Sequence, residues 1–333
     1  MRVLYAHGVD LAVRLSRRHL APLATLVALA VVLVPASAGA DVAARSLAEP
    51  AAEVHEYWTP ERMRSARPAS ELLAGVPVVN DLVDGLLGGG EPAQRSAAKQ
   101  VANPSKRPRR THGKVYFTLP SGDYVCSGTV VRSKTKRLVV TAGHCVFGDN
   151  AFASKWLFVP GKNGAGTDSS AEPFGRWTAA RLATTSQWQS REDIRYDVGM
   201  ATMQKLKGKR LQRVVGARGI AFGQGRNLNF NAFGYPARGR FSGNHLYRCS
   251  SPAQGTDSGS RPRPTRIDCD MTGGASGGGW IISKGRVNSV TSYGYESLCP
   301  LPPIICSPNP ERGKLFGPYF GKKIRDLYRS ERR

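Results

Sequence analysis

The chain has 333 residues, 41 % of them hydrophobic, and 48 Lys and Arg stand against 24 Asp and Glu for a formal charge of +24. That length supports one large domain or two modest ones with a sizeable core. The positive surplus favours anionic partners such as cell-wall polymers, lipid head groups or acidic proteins, while the scatter of the basic residues and the absence of a nucleic-acid motif argue against a specific nucleic-acid ligand.

The N-terminus reads as an export signal. Arg2, Arg14, Arg17 and Arg18 precede an apolar run from Leu20 to Val34, and small residues follow at Ala36-Ser37-Ala38 and Ala38-Gly39-Ala40. This is the charged, apolar and small-residue order of a secretory signal. The run is shorter than the ~20 residues a spanning helix needs, so residues 1–40 are assigned to a cleaved signal peptide and the molecule to the outside of the cell. Residues 41–110 show little periodicity, recurrent proline, a glycine run at Gly88-Gly89-Gly90 and a basic run from Lys106 to Arg110. They read as a propeptide or a disordered leader. Of the net charge, +4 falls on residues 1–110 and +20 on residues 111–333.

From residue 113 short apolar or alternating runs are separated by glycine, proline and polar clusters. The runs are Val115–Leu119, Tyr124–Val131, Leu138–Thr141, Trp156–Val159, Trp177–Leu182, Val198–Met203, Leu228–Phe233, His245–Cys249, Trp280–Ile282 and Val287–Tyr293. Short strands at this spacing predict an all-β sandwich or barrel. Only Tyr319–Tyr328, with Phe320, Ile324 and Leu327 at helical spacing, predicts a helix. No internal repeat is evident. Six cysteines (126, 145, 249, 269, 299 and 306) in an exported chain point to three disulfides, for which sequence alone allows 15 pairings.

Three stretches carry the chemistry. Thr141-Ala-Gly-His144-Cys145 follows an apolar strand, Tyr196-Asp197-Val-Gly-Met-Ala201 opens one, and Thr272-Gly-Gly-Ala-Ser276-Gly-Gly-Gly279 surrounds a lone serine with glycine. A serine hydroxyl is a weak nucleophile until a base takes its proton, and histidine is the base suited to neutral pH. That base needs a carboxylate to fix its tautomer. The glycines let the backbone turn sharply, so that the N–H groups of Gly274 and Ser276 can point together at a developing oxyanion. The only other histidines after residue 110, His112 and His245, sit in no comparable stretch, and Asp193 precedes no apolar strand.

In the order His, Asp, Ser these stretches resemble the signature segments of chymotrypsin-fold serine proteases. Phe158-Val-Pro-Gly161, Pro173-Phe-Gly175, Phe233-Gly-Tyr-Pro236 and Asp268-Cys-Asp-Met-Thr-Gly-Gly274 are most similar to the secreted bacterial, glutamyl-endopeptidase-like branch. The resemblance covers roughly residues 113–328. It implies two packed six-stranded antiparallel β-barrels with a short C-terminal helix, filling a domain at 111–333. It makes His144 the general base, Asp197 its orienting carboxylate, Ser276 the nucleophile, and Gly274 and Ser276 the oxyanion donors. It also implies a Cys126–Cys145 bridge. Cys299 and Cys306 are expected to close a small loop beside the substrate pocket, which leaves Cys249–Cys269 as the third bridge.

The match departs at two places. Trypsin-like zymogens carry an aspartate just before the serine to pair with a new N-terminal amine, and here that position is Ala275, so activation is expected to need no such ion pair. The resemblance implies a pocket wall at Thr272, Thr291, Ser292 and Gly294. Glutamyl-specific members have a histidine where this chain has Thr291 and Ser292, and Asp270 alone would suggest a pocket for Lys or Arg. No cofactor and no metal is expected. Protein or peptide substrates, possible contact with anionic surface polymers and a monomeric state complete the reading. The competing reading is a catalytically silent cationic binding protein on a protease scaffold.

Overall fold

The computed structural model describes residues 41–75, 97–257, 259, 261–294 and 313–333. The segment read as an export signal and the expected Cys299–Cys306 bridge lie outside these residues.

Six strands form the first barrel: β1 (His112–Leu119), β2 (Gly122–Val130), β3 (Leu138–Thr141), β4 (Ser154–Pro160), β5 (Trp177–Thr185) and β6 (Gly199–Met203). They pair antiparallel in the order β1–β2–β3–β6–β5–β4, and β4 returns to β1, so the sheet closes. Side chains alternate across each strand. On β3, Val139 fills the barrel with Val115, Phe117 and Phe158, whereas Leu138 and Val140 face a second apolar layer shared with the other barrel.

The second barrel uses β7 (Asn229–Gly234), β8 (Tyr247–Thr256), β9 (Thr265–Asp268), β10 (Gly279–Ile282), β11 (Arg286–Val290) and β12 (Lys314–Gly317). The sheet runs β11–β10–β7–β8–β9–β12. The stretch after β11 brings it round: the Ser292 N–H donates to Phe316 O, and the Phe316 N–H donates to Tyr293 O, each at 2.9 Å. Both barrels therefore have the same cyclic strand order, a repeat of topology that leaves no repeat in the sequence. Each of β9 and β12 is only four residues long and mixes apolar with charged residues, too little to display a period. The strand predicted through Tyr293 ends at Val290.

The predicted C-terminal helix forms at Lys322–Glu331, starting later than expected because Gly321 occupies its N-cap. Ile324, Leu327 and Tyr328 lie in the layer between the barrels with Phe233, Ile281 and Val290.

The described parts of the leader are folded. Val42–Ser46 adds an antiparallel strand to β5, and Lys99–Gln100 adds one to β8. Two short helices, Ala51–Tyr57 and Pro60–Ser65, place Val54, Trp58 and Met63 on Tyr116, Leu157 and Val159 outside the first barrel. Arg67–Pro68 pairs parallel with Tyr124–Val125 of β2, and a 3₁₀ turn follows at Ala69–Gly75. A disordered leader follows from the missing periodicity. These pieces are instead too short to show a period and gain their order from packing on the barrels.

Candidate active site

His144 lies in a 3₁₀ turn, Gly143–Cys145, just past the end of β3. A disulfide joins Cys145 to Cys126 on β2 and fixes that turn to the barrel, and a second joins Cys249 to Cys269. Asp197 ends a 3₁₀ turn at Ile194–Tyr196 immediately before β6. The cap of that turn is Asp193, whose carboxylate accepts from the Arg195 N–H at 3.2 Å and pairs with the Arg195 guanidinium at 2.6 Å. Asp193 is thereby occupied in holding the backbone that presents Asp197.

His144 and Asp197 are both fully buried and meet directly. The His144 backbone N–H donates to Asp197 Oδ1 at 2.8 Å, and Nδ1 stands 2.8 Å from Oδ2. A carboxylate only accepts, so the proton belongs on Nδ1 and the neutral ring presents Nε2 as an acceptor. A third donor was not foreseen: the Ser292 hydroxyl also donates to Asp197 Oδ2. The family resemblance implies a pocket-wall role for Ser292, but its side chain turns to the carboxylate and is itself fully buried.

Ser276 is 3 % exposed and sits on a turn held from both barrels. Its carbonyl accepts from the Ser127 N–H of β2 at 2.7 Å, while the Gly277 N–H donates to Thr291 O at 2.7 Å. Gly277 has φ +79° and passes so close to the His144 segment that a Cβ would lie 2.1 Å from Thr141 Oγ1 and 2.8 Å from the Ala142 nitrogen. His144 Nε2 is buried and has no hydrogen-bond partner among the described residues, so the Ser276 hydroxyl is near the histidine segment without being bonded to the ring.

The Gly274 carbonyl is pinned by the Ser127 hydroxyl at 2.8 Å, and that hydroxyl in turn accepts from the Tyr235 N–H at 2.9 Å. With φ +96° at Gly274, the turn leaves the N–H groups of Gly274 and Ser276 donating to nothing among the described residues. Ser127 and Ser292 lie within the predicted strands Tyr124–Val131 and Val287–Tyr293, and only the folded chain reveals their contacts at the site.

The remaining candidates are accounted for. Thr291 is buried, and its hydroxyl accepts from the Trp280 indole at 2.9 Å. The Thr272 hydroxyl bonds to the Arg238 backbone, and Gly294 is half-buried. Asp270 is occupied on both oxygens, by the Ala98 N–H at 2.6 Å and by Arg240 at 2.9 Å. His112 is buried against Thr129 and stacks on Phe233, and burial holds its pKa well below the ordinary value, so it is a neutral structural residue. His245 contacts Asn163. The Cys126, His144 and Cys145 donor atoms cluster within 4.8 Å, but the two sulfurs are bonded to each other and offer no thiolate to a metal. No helix among the described residues is long and apolar enough to cross a membrane.

Comparison with known proteins agrees with this fold. Residues 126–288 match the trypsin-like peptidase domain. No curated protein sequence matches the chain. Among solved structures, the protease Anisep from Arthrobacter nicotinovorans is 38 % identical, with 68 % of this chain and 98 % of that chain covered at a TM-score of 0.59. The thermostable serine protease AL20 from an extremophilic microorganism is 34 % identical, covering 67 % of this chain and 97 % of that one at 0.58. A Glu endopeptidase, 18 % identical, covers 73 % of this chain and 100 % of that one at 0.54 and shares the fold. The chain belongs to the trypsin-like family of serine proteases and has their chymotrypsin fold.

Proposed function

We propose that the chain is an exported serine endopeptidase that cuts peptide bonds through Ser276, His144 and Asp197. The observation that carries this is the Asp197 carboxylate. Buried, it accepts from the His144 backbone, from Nδ1 and from Ser292, and so leaves Nε2 as the one free acceptor, buried beside the turn that bears Ser276. In the family's mechanism, Nε2 takes the Ser276 proton as Oγ attacks the scissile carbonyl, and Asp197 steadies the imidazolium. The N–H groups of Gly274 and Ser276 hold the oxyanion. His144 then hands its proton to the leaving amine, and water releases the acyl-enzyme by the reverse sequence.

Export is supported by the signal-like N-terminus and the two disulfides. The leader is read as a propeptide. The two relatives closest in identity above are almost wholly matched by about two thirds of this chain, the share that residues 111–333 make up. Ala275 offers no charge to a new N-terminal amine, so activation consists of removing an obstruction. Thr272, Thr291 and Gly294 remain the frame of the pocket for the residue before the cut, while the Ser292 hydroxyl serves Asp197. With Asp270 already paired to the Ala98 N–H and to Arg240, that carboxylate is not free to support a preference for Lys or Arg.

The test is labelling of the exported, disulfide-bonded chain with a fluorophosphonate probe, together with cleavage of a mixed peptide library. Label and cleavage are expected in the parent and absent from Ser276→Ala. Asp197→Asn should fold and lose about 10⁴ in turnover, the size of effect known for the template triad. A parent that binds peptides or polyanions without labelling, even with its leader displaced, would make the chain a binding protein instead.

A further inference from the structure

We propose, resting on the protease reading above, that leader residues Arg67–Leu73 are an intramolecular ligand of the leaving-group half of the cleft, and that Arg238, which holds their Glu71, is a specificity residue for acidic side chains after the cut.

The turn bearing Ser276 has two flanks. On one it bonds to Thr291, and the family's acyl-side wall continues from there through Ser292 and Gly294. On the other it bonds to Ser127 of β2. The leader lies on the second flank. Arg67–Pro68 pairs with Tyr124–Val125 of the same strand. Ser70 and Pro68 then press against Gly273: a Cβ there would stand 2.4 Å from Ser70 Oγ and 2.9 Å from Pro68 Cβ. Ala69 is fully buried and packs, with Leu73, in the cluster that contains Cys126 and Cys145. Leu72 reaches Gly148, beyond the histidine turn. The segment thus covers the disulfide beside His144 and the glycines before Ser276, where the departing part of a substrate would lie, and both reactive side chains are buried beneath this arrangement.

The contacts are of the kind a bound peptide makes, with short strand pairing for the backbone and pockets for alternate side chains. One of them is selective. Glu71 is bridged by the Arg238 guanidinium, with Arg67 of the leader itself at 3.3 Å on the other oxygen. Arg238 belongs to the second barrel and sits next to Thr272 through the bonds between their backbone and hydroxyl groups. Once the leader departs, Arg67 leaves with it and Arg238 remains at the rim. A substrate carboxylate on the leaving side replaces Glu71 there, and a basic residue is disfavoured.

The experiment compares probe labelling rates of the exported full chain and of leader variants. In Ala69→Asp a carboxylate replaces a fully buried methyl group, a burial that a displaced strap avoids, and labelling should rise at least about tenfold, since each factor of ten corresponds to ~1.4 kcal/mol. Should that variant misfold, Glu71→Arg tests the same contact at a partly exposed position. It should raise labelling about two- to fivefold, the range of an exposed ion pair, and Arg238→Glu added to it should reverse the gain. In the Ala69→Asp background, peptides carrying Glu on the leaving side should be cut about two- to fivefold faster than those with Gln, a preference that Arg238→Gln abolishes. Equal labelling of the wild type and both leader variants would overturn the proposal and leave the protease reading standing, as would an acidic preference unmoved by Arg238→Gln. If no variant labels although hydrogen exchange shows residues 67–73 released, the protease reading fails and this proposal with it.

Discussion

Replacing Lys114 by methionine should stabilise the protein near neutral pH and cease to do so in base. Lys114 lies on β1 opposite Ser127, the residue that bonds to the Ser276 and Gly274 carbonyls. It is 4 % exposed, and its ammonium stands over the Tyr116 ring. Burial first, and the nearby Lys162 second, push its pKa from the ordinary 10.5 down to about 7. The sign follows from proton counting. Below about pH 7 both the folded and the unfolded chain hold the proton, and the folded state bears the full cost of the buried charge. Between about 7 and 10.5 only the unfolded chain holds it, so stability rises with pH across that window and the cost is gone above it. At ~1.4 kcal/mol per pH unit the cost is at most roughly 5 kcal/mol. The methionine variant removes it without emptying the space, so its advantage should be greatest near neutrality and shrink steadily towards pH 10. Urea unfolding of both proteins from about pH 6.5 to about 9.5, with equal slopes, measures that difference. An advantage independent of pH, or none at all, would refute the assignment of a buried, weakly basic Lys114.

Ser292→Ala removes one of the three donors to the buried Asp197 carboxylate. A hydrogen bond to a charged group contributes ~1.5–3 kcal/mol, so kcat should fall about 10- to 100-fold with KM little changed, and a change confined to KM would return Ser292 to the pocket wall. Gly277→Ala puts a methyl group 2.1 Å from Thr141 Oγ1 on a backbone with φ +79°. Left-handed strain and overpacking together cost roughly 3 kcal/mol or more, so Tm should drop by roughly 10 °C, measured by thermal unfolding of Ser276→Ala against the double variant to exclude self-cleavage.

Much of this protein is legible in its sequence because the catalytic family writes its chemistry in short strings. His144 follows an apolar run and Asp197 opens one, each long enough to read as a strand, and the glycines around Ser276 announce a tight turn. What stayed hidden depends on direction or on partners. Ser292 is one residue past Thr291, and since alternate side chains face opposite ways, a pocket role and a carboxylate role are separated by a single step that no pattern marks. β9 and β12 are too short for alternation to register. The leader elements fold only on a surface supplied by other parts of the chain, so their own composition reads as linker. Asp270 looks like a specificity group in isolation and proves to be bonded to Arg240 and the leader at Ala98, partners 30 and 172 residues away.

Ser127 has a wider consequence. One residue of the first barrel, through its N–H and its hydroxyl, fixes two carbonyls of the loop that the second barrel contributes. Hydrolytic competence is therefore a property of how the halves dock rather than of either half. Slippage of about 1 Å across that seam would cost about 10²-fold in rate with His144, Asp197 and Ser276 all intact. Drift, inhibitors or engineering that target the seam have a route to control that never touches the chemistry.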